Sequence, residues 1–376
     1  MSGHEELALD ADLSLVGSRE ASHSDERRPQ VGRLERLPKW LNLIPMIVQW
    51  IWLSIKHGSW TLPGAANPQI TAGGLAGERK SEYFRLMGQV ASAHTADYAV
   101  FRNAHSTSTL QDAEQSMLDT GLCYPLILKP DIGWCGFGVR IVRNRDELKS
   151  YLEAFPHDED IVFQRFVIYE GEAGIYYVRW PGEPRGHITG VLLRFFPRVV
   201  GDGHRTIAEL MARSPRARRL GRDRRSESCC DTSRVPALGE IVRLSVTGST
   251  RVGGMYQDAS TLVTPELEAA VDAIAMDMPQ VHVARFDVRY RDIGAMRAGH
   301  SFKIIEVNGA GSEAVHAWDP RYSLLQAYKI VFEKQRTIFS IGAAMRDRGH
   351  SPPAPRTVAG LYFRQERLIR SYPPSN

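Results

Sequence analysis

Cysteine is scarce in this sequence, with four in 376 residues: Cys123, Cys135, Cys229 and Cys230. Four thiols cannot staple a chain of this length. They form no CxxC pair and have no His at zinc spacing, which argues against a structural zinc site. A reducing, cytoplasmic setting fits this usage. No sign of charge dominates, since 47 Lys and Arg face 43 Asp and Glu for a formal +4. That surplus is too small to point to a nucleic-acid partner. There is no GxxxxGK[ST] P-loop, and neither GxSxG nor HExxH occurs, so those hydrolase mechanisms lack support. No fixed-period repeat and no long low-complexity segment is present. The opening MSGHEELALDADLSLVGSRE is acidic and polar, without the basic start and apolar core of a signal peptide. No apolar run reaches the roughly 20 residues a spanning helix needs.

What is present is 43% apolar and 24% charged residues, enough for real cores and against wholesale disorder. At roughly 150 residues per domain the length allows two or three domains. Residues 1–36 read as a solvated tail. From Leu37 to Trp60 the text LPKWLNLIPMIVQWIWLSIKHGSW holds Trp40, Trp50, Trp52 and Trp60, four of the seven Trp. Asn42, Pro45 and Gln49 interrupt its apolar run. Two readings stand open. One is a helix packed on the main body. The other is an interfacial helix, with Trp at headgroup level and Arg33, Arg36, Lys39 and Lys56 against anionic lipid. Residues 61–77 are rich in Gly, Pro and Ala and read as an irregular connector.

Helical spacing of Tyr83, Phe84, Met87 and Val90 predicts one helix over residues 78–93. A short strand follows at Tyr124–Lys129, then a loop with Gly133, Gly136 and Gly138, then a strand at Val139–Val142. Asn144 caps a helix reaching Phe155. Strands are predicted at residues 161–167, 174–178, 188–196, 241–246, 281–290 and 302–307, with a turn at 199–203 and helices at 206–211 and 265–278. Hairpin-like strand pairs mixed with helices imply an α+β fold with two small sheets facing one another.

Three constellations carry chemistry. Lys129 feeds a loop whose Gly133, Gly136 and Gly138 let backbone N–H groups approach phosphate oxygens, although an ordinary hairpin turn would look similar. Glu172 follows a strand, where it would accept ribose hydroxyls, with backbone near Phe166 and Val167 facing a base edge. A solvated turn acid is the alternative there. In VHVARFDVRY, Arg285, Asp287 and Arg289 share one strand face, and in FKIIEVN so do Glu306 and Asn308. If those strands pair, Asp287, Glu306 and Asn308 converge as a hard-oxygen set suited to Mg²⁺. Arg285 beside them would stabilise a transferred phosphoryl group, and Gly309, Gly311 and Ser312 would offer backbone donors to an oxyanion. Arg251 is a candidate for a substrate carboxylate or γ-phosphate. The run RSPRARRLGRDRR, residues 213–225, holds seven Arg and reads as a lid contact to phosphate or as a solvated loop.

The order of Lys129 with its glycine loop, Glu172, Arg285–Phe286–Asp287 and Glu306–Val307–Asn308 resembles the ATP-grasp superfamily. The resemblance is to the branch of D-alanine–D-alanine ligase, cyanophycin synthetase and glutathione synthetase, and covers residues 78–345. VVGDGHRTIAEL, residues 199–210, is similar to a stretch of the latter two. The resemblance implies that two α+β subdomains grip ATP between two sheets. It implies Lys129 on the α/β phosphates, the loop from Gly133 to Gly138 closing over the nucleotide, and Glu172 on the ribose. It further implies Asp287, Glu306 and Asn308 on one or two Mg²⁺ (or Mn²⁺) ions, and Arg285 steadying an acyl phosphate. Lys80 stands near where an early family lysine reaches the phosphates. The implied activity is amide formation from a carboxylate and an amine through an acyl phosphate. A kinase-like phosphotransferase and a membrane-associated nucleotide-binding protein without ligase activity are the alternatives. Trp134, Cys135 and Phe137 depart from the small hydroxyl residues of dipeptide ligases, and Gln164–Arg165 stand where an acid is common. The region before residue 78 is too short for the Rossmann-like domain of those ligases, so substrate identity does not transfer. The expected division is a tail (1–36), a Trp-rich helix and connector (37–77), subdomain 1 (78–168), subdomain 2 (169–345) and an extension (346–376). Small-molecule substrates, a cytoplasmic location and a second possibility of peripheral contact at the inner membrane face through residues 38–60 complete the expectations.

Overall fold

The structure is a computed structural model that describes residues 31–376. The solvated tail expected over residues 1–36 lies outside the described residues as far as residue 30. Residues 31–36 are anchored instead: Leu34 is buried, and Glu35 pairs with Arg216 (2.9 Å) and Arg219 (2.6 Å). Two members of the Arg-rich run thus serve an ion pair and are not merely solvated.

Strands β1 (Tyr98–Arg102), β2 (Leu126–Pro130), β3 (Arg140–Val142) and β4 (Asp160–Arg165) form a sheet in the order β1-β4-β2-β3. All its pairings are antiparallel. Its core joins Leu126, Leu128 and Phe163 to Leu148, Tyr151 and Leu152 of the helix Arg145–Ala154. That helix starts where sequence placed it, because the Asn144 side chain accepts from the Glu147 N–H.

The chain then passes through β5 (Gly171–Val178), β6 (His187–Phe195), β7 (Arg198–Val200), β8 (Ile241–Arg243), β9 (Met255–Asp258), β10 (Val283–Tyr290) and β11 (Phe302–Asn308). Five of these make a second antiparallel sheet ordered β11-β10-β5-β6-β9, while β7 and β8 form a separate ribbon. Period-2 alternation decides what β10 does. Ala284, Phe286, Val288 and Tyr290 enter the core with Ile175, Val191, Ile304 and helix residues Leu267, Val271 and Ile274. The intervening Arg285, Asp287 and Arg289 share the other face.

Three expectations change. The helix over residues 78–93 is two helices, Lys80–Leu86 and Gln89–Ala93, broken at Gly88. There the Gly88 N–H donates to the Asp277 carbonyl (3.0 Å), and the Asp277 carboxylate would meet any added Cβ. The stretch 199–203 begins as strand β7, since Val199 packs into a satellite core with Ile207 and Val242. Strands β1 and β9 went unpredicted.

The Trp-rich segment is a helix, Lys39–His57, ended by Gly58 at φ +68°. It packs on the long helix Leu324–Arg346 through Leu53 and Trp50, whose ring stands 4.9 Å edge-on from Phe339. Among the described residues no helix is long and apolar enough to cross a membrane. The connector 61–77 is irregular as expected, yet it is core. Leu62, Pro63, Gly64, Ala65, Ala66 and Asn67 are all buried. The Asn67 amide donates to the Val283 carbonyl (2.8 Å) and accepts from the N–H groups of His282 (2.9 Å) and Val283 (3.0 Å). One side chain thereby serves the start of β10 as a neighbouring strand would.

Candidate active site

The pairing of β10 with β11 sets Asp287 directly opposite Glu306, and Arg285 opposite Asn308. All four are on one sheet face, because each lies an even number of residues from its companion on the same strand. Gly174 is the β5 partner of Asp287, and a Cβ there would lie 3.1 Å from the Asp287 carboxylate. Its bareness makes room for the acid.

Asp287 is buried and receives a bidentate pair from Arg285, Nε to Oδ1 at 2.8 Å and Nη2 to Oδ2 at 2.9 Å. The Asn308 amide donates to the same acid (3.3 Å), and Arg194 stands 3.5 Å away. Burial opposes ionisation of Asp287, but Arg285 and Arg194 override it and hold the carboxyl below the usual range. Glu306 pairs with Lys80, Nζ to Oε1 at 3.3 Å.

Two lysines complete the set, Lys129 from the other sheet and Lys80 from the helix Lys80–Leu86. Lys129, on β2, donates to Gln164 Oε1 (2.7 Å) and to the Ile305 carbonyl of β11 (3.1 Å). Burial pushes its ammonium down to about 8, with Glu306 pulling the other way. Lys80 also donates to the Pro130 carbonyl (3.1 Å), and a Cβ on Gly133 would sit 2.9 Å from its Nζ. The two lysines therefore tie the root of the glycine loop to β11.

Within that loop Gly136 and Gly138 adopt φ of +73° and +72°, where a side chain would strain the backbone. Phe137 is held between the guanidinium groups of Arg225 and Arg251, each 4.0 Å from its ring centre. Arg251 bonds Asp223, Ser226, the Cys135 carbonyl (3.3 Å) and Ser375 Oγ (2.9 Å), which engages it with the loop and its surroundings. Glu172 is buried with one oxygen on Arg194 and the other 3.3 Å from Arg289. Phe166 and Val167 are half-buried in the connector that follows β4.

The loop after Asn308 also departs from expectation. Its N–H groups are already engaged: Gly309 with Glu78 (3.0 Å), Gly311 with the Gly74 carbonyl (2.8 Å), Ser312 with the Gly309 carbonyl (3.0 Å). Sequence reasoning missed the groups that brace it. Glu78 accepts from Tyr83 OH (2.6 Å) as well as Gly309, and burial raises its carboxyl to about 7. Lys334 donates to the carbonyls of Ala310 (2.7 Å) and Ser312, and burial lowers it to about 8. Arg194 was missed as well. Its only signal was register, as it lies directly across from Glu172 on β6.

Among the described residues no cluster of three His, Cys, Asp or Glu is poised on a cation. Two carboxylates and an amide oxygen, all hard donors, still suit Mg²⁺, which leaves part of its shell to water and phosphate. Arg285 is the group that such an ion would displace from Asp287.

Residues 88–175 match the family model described as the D-ala D-ala ligase C-terminus. No curated protein matches the chain. Among solved structures the chain is similar to a bifunctional glutathione synthetase from Pasteurella multocida, at 19% identity, 68% of this chain, 36% of that chain and TM-score 0.34. It is similar to a D-alanine–D-alanine ligase from Bacillus anthracis at 15% identity, 74% and 70% coverage and TM-score 0.40. For the VanG D-Ala:D-Ser ligase from Enterococcus faecalis the values are 14%, 73%, 63% and 0.40. The chain thus spans well under half of the glutathione synthetase. The family match, over residues 88–175, takes in Lys129, the whole glycine loop and Glu172.

Proposed function

We propose that the protein is an ATP-dependent ligase that joins a carboxylate to an amine through an acyl phosphate. One observation supports this most. Lys129 of β2 and Lys80 at the start of the helix Lys80–Leu86 reach β11, where Glu306 stands opposite Asp287. Cations facing oxygen donors are what a polyphosphate with a divalent ion requires.

In this reading Lys80 and Lys129 attract the phosphates, and the backbone of Gly133, Gly136 and Gly138 closes over them. Asp287, Glu306 and Asn308 would hold Mg²⁺ or Mn²⁺, which supplies charge neutralisation on the transferred phosphoryl group. Arg285, released from Asp287 by the ion, would place a cation where an acyl phosphate and the tetrahedral adduct carry negative charge. Arg194 and Glu172 position Arg285 and Asp287 through a shared ion-pair network. Lys334 and Glu78 keep the loop Gly309–Ser312 in place beside them.

The test is ADP release from ATP and Mg²⁺ across a panel of carboxylates, with hydroxylamine as trapping amine. Hydroxamate formed in step with ADP is the expected result. ADP without hydroxamate for every carboxylate would remove the ligase reading and favour phosphoryl transfer to another acceptor. Glu306→Gln should cut ADP release at least about a thousandfold, in line with losing one charged group at a transition state, with the thermal midpoint little changed. Undiminished turnover in that variant would remove Glu306 from the site.

A further inference from the structure

The helix Lys39–His57 turns most of its apolar side chains outward. Beside Leu53 and Trp50, its inward contacts use polar groups. Asn42 donates to the Leu34 carbonyl (2.7 Å), Gln49 donates to the Phe332 carbonyl (2.7 Å), and Ser54 is buried. Its outward side presents Trp40, Leu41, Leu43, Ile44, Ile47, Val48, Ile51, Trp52 and Ile55, all exposed, with Ile55 at 73% and Trp40 at 67%. At 100° per residue these nine fall within one half of the helix, interrupted only by the buried Ser54 near its end, over roughly 28 Å of length. A soluble surface does not leave so large an apolar face in water without a use for it.

Charge selects the occupant. The helix contains no Asp or Glu. Exposed Arg33 and Arg36 precede it and, with Val31, Pro320 and Arg321, line a cleft of about 370 Å³. Arg321 is paired with Asp319, so the cleft's net positive charge comes from Arg33 and Arg36. At the other end Lys56 is exposed and lies 5.3 Å over the Trp52 ring. A second copy docked antiparallel on this face would bring Arg33 and Arg36 toward Lys56 of its mate, with no acid on the helix to offset them. An anionic headgroup layer meets both basic ends at once. Trp40, Trp52 and the exposed Trp60 are the residue type that settles at that depth.

We infer that the helix Lys39–His57 lies in the surface of an anionic phospholipid bilayer, its apolar half immersed and its basic ends on lipid phosphates. The enzyme is then peripheral, held by one face and not by a span.

Flotation of the full chain with vesicles of phosphatidylglycerol in phosphatidylcholine tests this, with pure phosphatidylcholine alongside. The expected result is recovery with the anionic vesicles, weaker recovery with the neutral ones, and release at high salt. Ile47→Glu and Ile51→Glu alter only exposed positions and should each lower the bound fraction about tenfold or more, with unchanged circular dichroism and thermal midpoint. The inference is overturned if the chain stays at the bottom of the gradient with both vesicle types, or if both variants float as the parent does. It is also overturned if the chain is a dimer that Ile47→Glu dissociates while no vesicle binds, which would give the face to a second copy.

Discussion

Lys129 is where burial and charge compete most directly. Desolvation brings its ammonium down to about 8, well under the ordinary lysine value. Two consequences run in opposite directions. A folded-state pKa below the unfolded one means that the charge costs stability at neutral pH, and that this cost fades as pH rises from about 8 toward the unfolded value near 10.5. The same deprotonation removes a cation from the proposed phosphate site. Affinity for a non-hydrolysable ATP analogue should therefore fall above about pH 8, approaching tenfold per pH unit in the limit, and Lys129→Arg should flatten that dependence. Titration calorimetry at about pH 7 and about pH 9 reads it. Little of this was legible in sequence: the lysine was visible, but not the Gln164 and Ile305 oxygens that hold it, since they arrive from other strands.

At the scale of elements, alternation along β10 and β11 was readable, so the placing of Arg285, Asp287, Glu306 and Asn308 on common faces followed from spacing alone. The helix over residues 78–93 was misread because its apolar spacing continues through Gly88, and only the contact with Asp277, almost 190 residues away, interrupts it. The connector 61–77 shows the same limit. Its Gly- and Pro-rich text says irregular, and nothing local says buried. Asn67 is the residue that makes burial tolerable, because its amide satisfies three backbone groups at the head of β10. Asn67→Ala should destabilise the protein by about 3 kcal/mol, the cost of leaving buried N–H and C=O groups without partners. Urea denaturation with an unchanged m-value would measure it, and a loss under about 0.5 kcal/mol would show those groups finding other partners.

For the molecule as a whole, the contacts of Arg251 matter more than its charge. It joins the glycine loop at Phe137 and Cys135 to Asp223 and Ser226 in the Arg-rich region and to Ser375. Arg251→Met keeps the bulk and loses those ties. The Michaelis constant for ATP should rise about tenfold, as expected for a cation–π contact and its hydrogen bonds, with a smaller change in kcat. Amide hydrogen exchange across residues 133–138 should speed up in parallel, a readout that loss of a substrate contact alone would not move. The α+β class, the strands that carry Lys129, Asp287 and Glu306, and the ATP-grasp resemblance were all determined by the sequence alone, because alternation, glycine placement and motif order are local or ordinal properties. The tertiary structure decided the rest: Arg194 between two acids, Lys80 against Glu306, Glu78 and Lys334 bracing one loop, and which half of the Trp-rich helix faces out. Each of these depends on distances between residues far apart in the chain, and those distances are set only when the sheets and helices pack.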